Sequence, residues 1–248
     1  MIDTLEKYRE KIRLYWRNEF ALHRRAVDLI EPALIKTRKQ ENQLGLVLDM
    51  LFIQVYKSHI SVGTLAELGH MEDAATIARR LLEMSVLAGY ITEPVKPGQR
   101  VERADRYLAN LWQELAPEGR AVLPTDVQVF WESVARRAPR GAQPSFQKMF
   151  AEVGKHETYQ KDYRLLTQIA HGSSPDQLIE FARETIPMRP GWHLGALLVF
   201  ATKYALATAI LWNEISPLID ETRLGHLIND LAKWPEGKTT PNASPEAA

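Results

Sequence analysis

Apolar residues recur at three- and four-residue steps along almost the whole chain, the spacing that gathers them on one face of an α-helix. Residues 3–38 read as one or two charged amphipathic helices, with Pro32 as the expected kink or break. From residue 42, Leu44, Val47, Leu48, Leu51, Val55, Val62 and Leu65 mark a long helix ending near Gly69. Ala74, Ile77, Leu81, Met84 and Ala88 carry the same spacing through 71–93, and Pro94 closes that segment. Further helices are expected at 99–115, ended by Pro117, and at 125–138, started by Pro124. A turn-rich stretch, PRGAQPS at 139–145, precedes helices at 146–153, 157–171, 176–185, 192–216 and 221–233. No run alternates convincingly between apolar and polar positions, so the expected fold class is all-α: a large bundle with long core helices. The pattern is read as one domain over 1–234, followed by a tail at 235–248 that lacks large apolar residues and is expected to be disordered.

Composition narrows the picture. Apolar residues make up 45% of the 248 and charged residues 25%, which suits a globular domain with a sizeable core. Lys+Arg and Asp+Glu are equal at 31 each, so no global basic field attracts nucleic acid, and any such contact has to be local. There is no cysteine, which removes disulfides, thiolate nucleophiles and Cys-ligated metal sites and fits a cytosolic protein. The opening MIDTLEKYREKIRLYW has no apolar signal-peptide core. LGALLVFATKYALATAILW, at 194–212, is long enough to span a bilayer, but Lys203 stands near its centre. A helix apolar nearly all round is also what the middle of a large bundle needs, and that is the expectation here, with no membrane partner. No phosphate-binding loop, dinucleotide fingerprint or metalloprotease motif occurs, and no metal or cofactor is expected. Glu67-x-x-His70 has a di-iron spacing, but no second copy exists to complete such a site. The small basic clusters HRR (23–25) and ARR (135–137) read as solvated faces, and the tryptophans as core or interface anchors.

Candidate chemistry concentrates in KDYRLLTQIAHGSS, residues 161–174. Arg164 and His171 are seven residues apart, so they return to nearly the same helix face, two turns and roughly 10 Å apart. Gly172 is placed to cap the helix, which sets His171 in its last turn, where the carbonyl dipoles favour imidazolium. An imidazole that titrates near neutrality can move the proton of a 2′-hydroxyl or of a leaving oxygen. A guanidinium can hold the phosphate and balance its developing charge. The alternative is a solvated face with a helix-capping histidine.

Arg164-x6-His171 near the end of a helix resembles the R-x4-6-H motif of the HEPN superfamily. The resemblance implies a metal-independent endoribonuclease of toxin or phage-defence type, with the active site formed where two protomers meet. The residue after the motif arginine is usually polar in the active families; here it is Leu165. ARRLLEMSVLAGYI (78–91) followed by YRLLTQIAHGS (163–173) is also similar to an uncharacterised bacterial helical family, over most of residues 40–215. That resemblance groups Arg80, Glu83 and Tyr163 with Arg164 and His171 as one site, with Arg80 and Glu83 supporting the pair and Tyr163 packed beside it. A homodimer, an RNA substrate and an antitoxin or defence partner follow as expectations. The competing expectation is a non-catalytic helical module that binds a protein or a small signalling ligand, which Leu165 and the zero net charge favour.

Overall fold

The computed structural model describes residues 2–36, 42–93, 96, 98–138, 143–170 and 194–234. Every regular element among them is helical, and no strand occurs there. The chain is an all-α bundle. Its elements are α1 (Ile2–Tyr15), α2 (Arg17–Ile35), α3 (Gln43–Glu67), α4 (Met71–Thr92), α5 (Gln99–Glu114), α6 (Pro117–Ala121), α7 (Thr125–Arg137) and α8 (Phe146–Glu152). They continue with α9 (His156–Thr158), a π-helical turn (Tyr159–Tyr163), α10 (Arg164–Ala170), α11 (Leu194–Asn213) and α12 (Glu221–Ala232).

Local chemistry sets most of the ends. The Asn42 side chain accepts from the Gly45 N–H and caps α3. Gly69, at φ 76°, turns the chain out of α3; a Cβ there would meet the Tyr8 ring, so both backbone and space require glycine. Ser145 and Asp220 cap α8 and α12 in the same way as Asn42. Two expectations need correction. The first break falls at Trp16, and α2 runs through Pro32 to Ile35. Proline so near the end of a helix removes one hydrogen bond and leaves only one residual turn to hold. Pro117 does more than follow α5: as the first residue of α6 it starts a short helix, where its missing N–H costs nothing. The 176–185 helix and the 235–248 tail lie outside the described residues.

The core is built around α11, which packs against α2, α3 and α4. Leu194–Asn213 is apolar and long enough to cross a membrane, yet most of it is buried inside the bundle, as expected of a core helix. Its buried threonines bond back to carbonyls one turn earlier, Thr202 to Leu198 and Thr208 to Tyr204. The Trp212 indole N–H donates to Asp49 Oδ1 at 2.7 Å, and its ring stacks on Phe52 at 4.5 Å. Gly195 lies flat against the buried Trp16 ring, which approaches closer than any Cβ would allow.

Two histidines sit in the same core. HRR was read as a solvated face, but His23 is buried, because α2 turns it toward α3 rather than outward. Its ring stacks on His59 with centroids 3.9 Å apart. Gly63 makes the room: an added Cβ would lie 2.5 Å from the His23 ring. His23 Nε2 donates to the His59 carbonyl at 2.8 Å, and His59 Nε2 meets Thr202 Oγ1 of α11 at 3.2 Å. One polar seam thereby joins α2, α3 and α11.

Candidate functional site

The segment carrying Arg164 is pinned to the bundle from two sides. Tyr163 O–H donates to Glu83 on α4 at 3.0 Å. The preceding residue, Asp162, accepts from Tyr204 O–H on α11 at 2.9 Å. Consecutive side chains thus reach two different helices, and the π-helical turn that contains both sets their directions. The same turn stacks Tyr159 on Tyr163 at 5.1 Å, and Phe150 of α8 abuts both rings. Thr167 Oγ1 returns a bond to the Tyr163 carbonyl at 2.8 Å.

Burial, and then the Asp162 carboxylate, push the Tyr204 hydroxyl well above the usual tyrosine range. Burial, and then the Glu83 charge and hydrogen bond, raise Tyr163 as well. Both hydroxyls therefore stay protonated at neutral pH and serve as hydrogen-bond donors, not as bases.

Of the residues grouped by sequence, Glu83 and Tyr163 are in contact across 80 positions. Arg80 does not join them. Glu83 pairs instead with Arg79, one helical turn back, at 3.7 Å, and the Arg79 guanidinium lies over the Tyr163 ring. Arg80 is exposed, and its charge acts on Tyr107 of α5. Arg164 is also exposed, and its Nη1 donates to the neutral Gln160 at 3.2 Å. Glu83 is engaged elsewhere and forms no pair with Arg164. Leu165, beside Arg164, is 39% exposed. His171 and Gly172 lie outside the described residues.

Sequence reasoning missed Arg79, Asp162, Tyr159 and Tyr204. The four-residue spacing of Tyr159 and Tyr163 was a usable signal. The Asp162–Tyr204 bond had none, since it joins helices 42 positions apart. Glu67 and His70 do not converge: Glu67 takes Arg9 and Arg13 of α1 at 3.4 and 2.8 Å, and His70 faces Asp73 at 3.9 Å. Among the described residues, no three His, Asp or Glu side chains are grouped to hold a metal ion.

The Tyr163–Glu83 bond is testable. Tyr163→Phe is expected to cost about 1 kcal/mol, the net worth of one such bond, in a urea melt. Glu83→Gln, which still accepts from the hydroxyl, should cost less. Equal losses would mean that the Glu83 charge, rather than the bond, matters.

What the site can do follows from its parts. A surface cation whose partner among the described residues is neutral is available to an anion. The helix beneath it is braced by hydroxyl–carboxylate bonds to α4 and α11. No protein-family model matches the chain, and searches of curated proteins and of solved structures return no match.

Proposed function

We propose that the protein is a metal-independent endoribonuclease of toxin or phage-defence type, acting as a homodimer in the cytoplasm. Arg164 clamps the scissile phosphate and His171 moves the proton. Arg79 and Glu83 brace Tyr163, and through it the Arg164 helix; Arg80 stands outside that contact. The observation that carries the reading is the exposed Arg164 guanidinium, which has a neutral partner and sits on a helix fixed from two sides. A preset cation of this kind stabilises charge on a phosphate without reorganising.

The test is cleavage of RNA by the purified chain in the presence of EDTA. His171→Ala should lower the rate by about 10²- to 10⁴-fold, the usual worth of a positioned acid–base group, with the helical content unchanged. Arg164→Ala should also slow cleavage, and on expression should relieve growth arrest of the host. Cleavage that survives His171→Ala, or that requires a divalent ion, overturns the assignment.

One observation favours a second reading. Leu165 is exposed next to Arg164, where an apolar contact with a partner protein would cover it. On that reading the stripe is a non-catalytic binding surface. RNA would remain intact, while Leu165→Asp would abolish capture of the partner.

A further inference from the structure

Helix α7 stands at the edge of the bundle and packs chiefly against α5. Its inner side is accounted for: Val134 is buried, and Trp131 lies parallel to Trp112 of α5 at 6.3 Å. Its outer side is not. Asp126, Val129, Phe130, Ser133, Arg136 and Arg137 follow at three- and four-residue steps and form one outward stripe. Val129 is 56% exposed and Phe130 38%, and nearby Val122, just after α6, is 81% exposed. Scattered apolar residues are ordinary on a protein surface, but Val129 and Phe130 are neighbours on one helix face.

The charges on the stripe are ordered. Asp126 lies in the first turn of α7 and Arg136 and Arg137 in the last. None of the three is in an ion pair among the described residues. Arg136 donates to the Glu132 carbonyl and Arg137 to Ser133 Oγ, while Arg137 also feels the Asp105 charge of α5. An acidic start and a basic end suit any helix dipole. The dipole does not, however, account for the apolar pair between them: Val129 is largely open to solvent, and Phe130 meets Trp131 edge-on at 5.7 Å yet keeps over a third of its surface exposed.

A two-fold axis through the middle of α7 accounts for both features. Laid antiparallel on itself, the stripe is self-complementary: the Asp126 end of each copy meets the arginine end of the other, and Val129 and Phe130 of both flank the axis. We propose that the outward face of α7 is the homodimer interface of this protein, an isologous antiparallel pairing of α7 with α7 of a second copy. One short helix per copy covers less than a standard interface does, so the association is weak, in roughly the micromolar range. The proposal shares the homodimer with the ribonuclease reading but not its chemistry, which RNA cleavage tests separately. A dimer built on another face would leave that reading intact and overturn this one.

The experiment is sedimentation velocity of the full chain across micromolar concentrations. The wild type should pass from monomer to dimer, and added salt should shift the midpoint upward. Asp126→Arg alone, and Arg136→Asp with Arg137→Asp, should each weaken the dimer by at least about tenfold, because like charges then face each other. Combining all three should restore it. Phe130→Ser should weaken it without any rescue. These positions are exposed, so circular dichroism should show an unchanged fold. A wild type that stays monomeric, a dimer indifferent to either reversal, or a combined variant that fails to recover overturns the proposal.

Discussion

Lowering the pH from 7 to 5.5 is expected to destabilise the bundle, through His23 and His59. The bonding pattern fixes where their protons are. The His59 carbonyl can only accept, so His23 carries its hydrogen on Nε2. Thr202 gives its own hydrogen to the Leu198 carbonyl at 2.8 Å, so its oxygen accepts from His59 Nε2. Each ring thus carries a hydrogen on Nε2, and only Nδ1 is left to take a second one. A further proton on His59 would have to sit on Nδ1, a buried atom with no hydrogen-bond partner. Burial lowers the pKa of both rings, and the His23 charge lowers His59 further. On His23 the bond to the His59 carbonyl, and then the Glu67 carboxylate, work against burial, while Arg24 works with it.

The sign follows from linkage. In the unfolded chain both rings titrate near 6.5, whereas in the native state they resist protonation to lower pH. Stability is therefore complete above 6.5 and falls as pH drops from there toward the lowered native values. The slope approaches about 1.4 kcal/mol per pH unit for each proton that the unfolded state binds and the native state does not. Buried Glu19 opposes this, since its raised pKa adds stability as it takes up a proton. Glu67 and Asp230, both lowered, lose their contribution only in the carboxylate range below 4.5. Urea melts at a series of pH values should show the decline, and His23→Gln with His59→Gln should flatten it. A wild-type curve that is level from 7 to 5.5 would show that the pair does not resist protonation.

That pair marks where sequence reading stops. The helices were legible because a single period organises Leu44 to Leu65 and Ala74 to Ala88, and because Gly69, Pro94 and Pro124 are strong end signals. The nearness of α4 to the Arg164 segment was legible only through paired motifs, which brought Glu83 and Tyr163 together. Which arginine would join them was not. Arg79 and Arg80 are both within reach of position 83 on a helix, and packing against the Tyr163 ring selects Arg79. The π-helical turn leaves the apolar period nearly intact, so nothing local announced that Asp162 and Tyr163 would diverge toward different helices. His23 beside two arginines looks like a surface residue, since burial is decided by what α3 presents opposite it, here Gly63 and His59. Asp126 and Arg136 were visible as residues, but the face they share with Val129 has meaning only once the other face is seen to be filled by Trp131 and Val134.

Trp212→Ala is expected to remove about 3–5 kcal/mol, the cost of truncating a large aromatic in a packed core. That is a large part of the 5–15 kcal/mol available to a typical domain, and in a chain of this size it lowers the melting temperature by roughly 10 °C. Three contacts fail together. Trp212 is among the largest fully buried side chains, so its removal leaves a cavity at the end of α11. Phe52 loses the ring stacked on it. Asp49, buried on α3, loses the indole donor at 2.7 Å. Trp212→Phe separates the last of these from the first two. Phenylalanine keeps most of the volume and the stacking but has no N–H, so the loss should fall to about 1–3 kcal/mol, chiefly the penalty of leaving Asp49 Oδ1 without that donor. Adding Asp49→Asn to Trp212→Phe should then recover part of the loss, because an amide is cheaper than a carboxylate to bury with a missing partner. Chemical denaturation with all three variants decides the matter. Trp212→Phe falling as far as Trp212→Ala would mean that the Asp49 bond, and not the packed ring, joins α11 to α3.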